Sequence, residues 1–370
     1  MEREIRGHTK VGYWLWITIL LLATLIQFIS QKGVLGIYYP VFSFIRKMYG
    51  FTFYYLPFAA IYLVIPLFIW LCYLAWKNKW IAILPKVQSL LFFVFIFMFI
   101  YCWFYVSWGI LYKAPSLSQR LSLMEENIDS NYLVAELRWV EEKLLSTRKK
   151  IWMDETLPLP LSVTPAHLDL IIQKSVASTL KEWQIKSFEK VRIRPLYPAG
   201  SLLVFSTAGI YLPFSSEGHY DPGLAHFHAP FVMAHELGHA NGITGEADCN
   251  FVAMITCLNS DNAFIQYSGL LTYWRYLNAD LKKSARYSYY QHLFFRPIAI
   301  RRDLEVLYGA LDRYPEIMPM VRDVIYDSYL KANGIKDGLT NYDKILIMFK
   351  AWKKSPLNSR LKQNWEIEGH

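Results

Sequence analysis

Residues 234–250, AHELGHANGITGEADCN, concentrate the side chains of this sequence that can do chemistry. His235 and His239 stand four residues apart, so on a helix they lie one turn apart on one face and converge on a single cation. Glu236, beside the first histidine, is placed to act as a general base on a water held by that cation. A hydrolytic zinc site needs a third protein ligand and an open fourth position. Glu246 offers the third ligand, and Asn250, one turn further along the same face, can hydrogen-bond and orient a ligating histidine. Asp248 competes for the third place, but two residues on it points about 200° around the helix and better complements the helix N-terminus. A shuffled chain of this composition yields H-E-x-x-H about once in a hundred. The bland alternative is a helix with two surface histidines. Against it stand a helix-start residue, a helix stop and the Glu246/Asn250 spacing, so Zn2+ is the expected cofactor.

The elements that must position these groups follow from local signals. Pro230 can open the first helix and Gly242 can close it. The GITG turn folds a second helix back, with Thr244 as its N-cap and Glu246 in its first turn. Upstream, VRIRPL, SLLVFS and GIYLPFS are short β-favouring runs separated by Pro, Gly and Ser, which predict a small sheet. Its GIYLPF run could offer an edge along which an extended peptide aligns. Leu133, Leu137, Val140 and Leu144 recur at helical spacing. A further helix is expected to start at Thr164 and Pro165 and to bury Leu168, Ile171, Ile172 and Val176.

The chain carries a net charge of +9, with 54% apolar and 19% charged residues, fewer charges than the roughly 25% of an ordinary soluble protein. Through residue 112 there are 9 basic and 2 acidic residues, and beyond it 30 and 28. The excess therefore flanks apolar runs and does not form a polyanion-binding surface, and no basic-aromatic motif appears, so nucleic acid is not an expected partner. Three runs, 11–30, 51–76 and 88–112, are each long enough to cross about 30 Å of hydrocarbon as helices. Pro57 and Pro66 inside the second are read as a kink. The expectation is a multi-pass protein of the cell membrane with the lipid bilayer as partner. A slight bias of Lys and Arg places its N-terminus in the cytoplasm and its C-terminal part outside. Cys249 and Cys257, eight residues apart on one helix, are too far apart for a disulfide, and all four cysteines read as small buried residues.

HELGH followed by E-x-x-x-N-F resembles the gluzincin type of zinc peptidase, in which a glutamate on a following helix is the third ligand. The whole chain also resembles an uncharacterised bacterial family of multi-span membrane proteins known only as a domain of unknown function. The shared pieces are GIYYPVF, WGILYKAPSLSQRLSL, GIYLPFSSEG, the HELGH block, QYSGLLTYWRYL and YDSYLKANGIKDGLTNYDKIL. Asp248 and Cys249 stand where such sequences often carry glutamate and alanine. The expected architecture is an α-helical membrane anchor of three spans over 1–112, and an α+β, mostly helical, zincin-like metallopeptidase domain over 113–370. Its expected activity is hydrolysis of peptide bonds in a protein or peptide substrate by a metal-activated water. A zinc amidohydrolase acting on cell-wall peptide and a non-proteolytic zinc-containing sensor or scaffold remain the alternatives. His219 and His228, in the polar loop before the site with Tyr220 and His226, can touch substrate, although surface-loop roles are the ordinary reading. Tyr267 and Tyr326 can donate to a developing oxyanion, with core or capping roles as the alternative.

Overall fold

The computed structural model describes residues 33–77, 96–97, 100–284, 297–317, 344–358 and 365. The chain divides into two compact units. One comprises residues through Tyr49, Ala60–Pro115 and Pro213–Ser215; the other comprises Gly50–Ala59, Ser116–Leu212 and the chain from Ser216 onward.

In the first unit a π-helical turn, Val34–Tyr38, leads into α1 (Tyr39–Thr52). Helix α2 runs over Ile61–Lys77, and a 3-10 turn occupies Gly109–Lys113. Val34, Tyr38, Phe42, Trp108, Ile110 and Leu111 are among its buried apolar residues. The Phe42 and Trp108 rings lie 6.2 Å apart, and the Tyr38 hydroxyl donates to the Val106 carbonyl.

This unit corrects the expected anchor of three spans. Among the described residues no helix is long and apolar enough to cross a membrane. Residues 51–76, expected as one span, are divided: α1 ends at Thr52, a turn follows in which Leu56 N–H donates to the Phe53 carbonyl, and α2 begins only at Ile61. Pro57 supplies the reason, because it has no N–H to donate and disfavours helical geometry in the residue before it. An apolar composition count does not register such a break. The 17 residues of α2 reach about 26 Å, short of the roughly 30 Å of a hydrocarbon core. The expected span 11–30 lies outside the described residues, and of 88–112 only 96–97 and 100–112 are described.

The second unit is mostly helical with a small sheet. Its helices are α3 (Leu117–Arg120), α4 (Ser130–Ile151), α5 (Leu168–Glu182), α6 (Ala229–Ala240), α7 (Glu246–Leu258), α8 (Ala263–Ser284), α9 (Ile298–Asp312) and α10 (Lys344–Lys354). Strands β1 (Ile193–Pro195), β2 (Gly209–Leu212) and β3 (Glu217–Tyr220) form a sheet of order β1-β3-β2, with β1 parallel and β2 antiparallel to β3. Helix α7 is buried from Ala247 to Leu258 except at Asn250, as expected of a helix that is apolar on nearly all faces. It packs against α5, α6, α8 and α10. Two of these contacts pair a glycine with a cysteine: a Cβ on Gly238 would lie 3.1 Å from Cys249 Sγ, and one on Gly269 would lie 2.6 Å from Cys257 Cβ. The cysteines are therefore small buried fillers at close helix crossings, and both are free thiols.

Two local expectations change. Helix α5 starts at Leu168, after a 3-10 turn at Leu161–Val163 and a left-handed His167, so Thr164 is not its cap. SLLVFS contains a 3-10 turn, Leu203–Phe205, where a strand was expected. The buried Asp221 carboxylate explains this, since it accepts the backbone N–H groups of Gly200, Leu202 and Leu203 at 2.7, 2.8 and 3.1 Å and so offers the backbone an alternative to a ladder.

A buried ion pair ties α4 to α9. Arg148 Nε donates to Asp303 Oδ2 at 2.8 Å, while its other nitrogens donate to the carbonyls of Asp154 and Leu157. Asp303 also accepts from Leu159 N–H at 2.7 Å and from the Tyr267 hydroxyl at 2.5 Å. Removing one partner of such a pair leaves a buried charge uncompensated. Asp303→Ala is therefore expected to lower unfolding free energy by about 3–5 kcal/mol, read as a fall in denaturant midpoint at unchanged slope. An unchanged midpoint would refute the assignment.

Candidate metal centre

Helix α6 carries APFVMAHELGHA, with Pro230 in its first turn, where a missing N–H costs no intrahelical bond. It ends at Ala240, and Gly242 follows with a φ of +90°, in the left-handed region that glycine enters without a Cβ penalty. Gly242 N–H donates to the His239 carbonyl and Ile243 N–H to that of Gly238, so the chain reverses and α7 starts within a few residues. Gly245, not Thr244, is the N-cap of α7, and Glu246 is its first residue.

The reversal brings three ligand atoms together. His235 Nε2 lies 3.2 Å from Glu246 Oε2 and His239 Nε2 lies 3.6 Å from Glu246 Oε1. All three groups fall within 4.8 Å of one another. Ligands about 2.0–2.2 Å from a tetrahedral zinc ion stand roughly 3.3–3.5 Å apart, close to the two histidine–glutamate separations. Both rings are held from behind. His235 Nδ1 is 2.8 Å from Asn250 Oδ1, and His239 Nδ1 is 2.9 Å from the Ile243 carbonyl. A ring whose Nδ1–H donates to an oxygen leaves its Nε2 lone pair for a metal. The Glu246 side chain is 34% exposed, against 14% and 10% for the histidines, so the cluster opens on the glutamate side. Burial alone would raise Glu246, but the two imidazoles outweigh it and hold the carboxyl well below its usual range.

Glu236 points to the sheet. A Cβ on Gly209 would lie 2.7 Å from Glu236 Oε1, and one on Gly218 would lie 3.0 Å from Glu236 Cβ. These residues are on adjacent strands, so two glycines form a bare floor against which the carboxylate rests. Burial pushes the Glu236 carboxyl up to about 7; the neighbouring histidines oppose this and Glu246 adds to it. Its Oε2 is buried without a hydrogen-bond partner among the described residues.

The other residues singled out in the sequence are dispersed. His219 lies on β3 next to Gly218 and therefore on the opposite face from Glu236. Its ring is 4.0 Å from Glu217 and is pushed down to about 4, chiefly by burial. His228 precedes α6, with Nε2 3.4 Å from Arg275 Nη1. Tyr267 is fully buried and spends its hydroxyl on Asp303. Tyr326 lies outside the described residues. Asp248 Oδ2 accepts Leu117 N–H at 2.9 Å and so caps α3, not its own helix. Sequence reasoning missed the Ile243 carbonyl, Arg275 and the two glycines. Isolated glycines in strand-like runs were the available signal for the last.

A family described as a protein of unknown function (DUF3810) matches residues 38–349. The chain belongs to that family. No curated protein and no solved structure gives a significant match. Within this DUF3810 member, the match covers both helices of the His-His-Glu cluster and all three strands beside it.

The glycine floor makes a testable coupling. Gly209→Ala should cost about 1–3 kcal/mol of stability, and part of that cost should vanish in a Glu236→Ala background, because the larger side chain is gone. Equal costs in the two backgrounds, measured by denaturant unfolding, would show that the contact with Glu236 is not what the glycine accommodates.

Proposed function

We propose that this DUF3810 protein is a zinc-dependent metallopeptidase with His235, His239 and Glu246 as ligands and Glu236 as general base. The observation that carries the reading is a buried glutamate with one unpartnered oxygen, adjacent in sequence to a His-His-Glu cluster that is partly open to solvent. Bound zinc would supply Lewis acidity, lowering the pKa of an attacking water toward 7 and polarising the scissile carbonyl.

The protein's own groups do the rest. Glu236 takes the proton of the water, and the burial that raises its proton affinity lets it hold that proton until the departing amine accepts it. Asn250 and the Ile243 carbonyl keep the two imidazoles aimed. Strand β2 is at the edge of the sheet, and an extended peptide pairing along it would run past the glycine floor and Glu236. A purely structural zinc site usually fills four positions with Cys and His and has no use for a neighbouring buried base, which disfavours a scaffold role.

The test compares the wild type with Glu236→Gln, combining metal analysis with digestion of a random peptide library. Zinc should stay bound in both, and cleavage should fall by about 10²–10⁴-fold in the variant. Cleavage confined to cell-wall amides would favour an amidohydrolase. Zinc-loaded wild type that cleaves no amide, or cleavage that survives the substitution, would overturn the proposal.

A further inference from the structure

His228 stands seven residues before His235 and eleven before His239. At about 100° per residue these separations put it within roughly 20° of both ligands around the α6 axis, and about 10 Å from His235 along it. Its backbone is already helical, with φ of −91° and ψ of −26°, so the helical angle applies. The metal cluster and His228 therefore share one face of one helix.

Beside His228 is Arg275 of α8. Arg275 Nη1 lies 3.4 Å from His228 Nε2, and its guanidinium carbon lies 5.9 Å from the centre of the Tyr308 ring. An Arg N–H pointing at Nε2 makes that nitrogen the acceptor, which leaves the ring proton on Nδ1. His228 Nδ1 is buried and has no hydrogen-bond partner among the described residues. Among the described residues no carboxylate stands within ion-pair distance of Arg275, although pairs such as Arg148–Asp303 and Arg194–Glu217 show that this fold does match buried arginines to acids. The half-buried guanidinium has five donors in a fixed fork. One faces a histidine and a tyrosine ring lies nearby, an arrangement that places donors and positive charge together without a carboxylate acceptor among the described residues.

We propose that Arg275, with His228 beside it, is a subsite for a substrate carboxylate on the metal-bearing face of α6. The inference rests on the peptidase reading and specifies its substrate class. Extended peptide advances about 3.4 Å per residue, so a distance of about 10 Å along α6 corresponds to roughly three residues from the bond to be cleaved. The carboxylate can come from a peptide C-terminus or from an Asp or Glu side chain. Both present the planar pair of oxygens that a guanidinium fork binds bidentately.

The experiment is affinity selection on zinc-loaded Glu236→Gln protein from two random hexapeptide mixtures, one with free C-termini and one amidated. Carboxylate-bearing peptides should be enriched about tenfold or more. Enrichment of free over amidated termini identifies a terminal carboxylate; enrichment of Asp and Glu at one position within the amidated set identifies a side chain. Adding Arg275→Gln should bring the enrichment to unity while other peptides bind as before, and Arg275→Lys should restore part of it. Peptides captured without carboxylate preference, or a preference that survives Arg275→Gln, would overturn the subsite and leave the peptidase reading standing. Capture of no peptide at all would overturn both. Unchanged thermal unfolding of the Arg275 variants excludes misfolding as the cause of a lost preference.

Discussion

The site depends on how tightly α6 and α7 can approach after a reversal of a few residues. Gly242 makes the reversal possible through its left-handed backbone, and Gly238 lets α7 close in until Cys249 Sγ fills the space where a side chain would stand. A β-carbon at Gly238 would crowd Cys249 Sγ, and one at Gly242 would strain its left-handed backbone. Either change acts on the approach that sets Glu246, at the first position of α7, beside the two histidines. The contact also delivers the groups that hold the rings, since Asn250 is one turn further along α7 and the Ile243 carbonyl belongs to the reversal itself. Backbone geometry thus sets ligand geometry.

The same device recurs on the other side of α6. Gly209 and Gly218 remove side chains from the sheet where Glu236 rests, so the carboxylate is buried against backbone and not exposed beside the His-His-Glu cluster. Burial raises its proton affinity, whereas Glu246, on the open side of the cluster, is held low by the two imidazoles beside it. Two carboxylates ten residues apart in sequence are therefore driven in opposite directions, one by burial and the other by two imidazoles, the separation that acid–base chemistry and metal ligation respectively require.

How much of this was legible in the sequence varies with the range of the interaction that decides it. The grouping of His235, His239, Glu246 and Asn250 and the reversal at Gly242 depend on helical spacing and one turn, and the sequence carries that placement. The caps were less legible, because Asp248 and Ser268 serve other elements: Asp248 holds Leu117 N–H, and Ser268 Oγ accepts Phe231 N–H. Strand β3, EGHY, carries no β-branched alternation and exists through its two neighbours. SLLVFS has strand composition but yields its N–H groups to Asp221. The largest discrepancy, the division of residues 51–76, arises because hydropathy sums over a window while Pro57 acts at a point.

The central claim is that the His-His-Glu cluster of this DUF3810 protein holds one zinc ion. Zinc content of the purified chain, measured for the wild type beside Glu246→Ala and Asn250→Ala at matched chelator concentrations, tests it most directly. The account predicts one zinc per wild-type chain, loss of the ion with Glu246→Ala, and affinity weakened about 10–100-fold with Asn250→Ala. A wild-type chain without stoichiometric zinc, or zinc retained undiminished by Glu246→Ala, would contradict it.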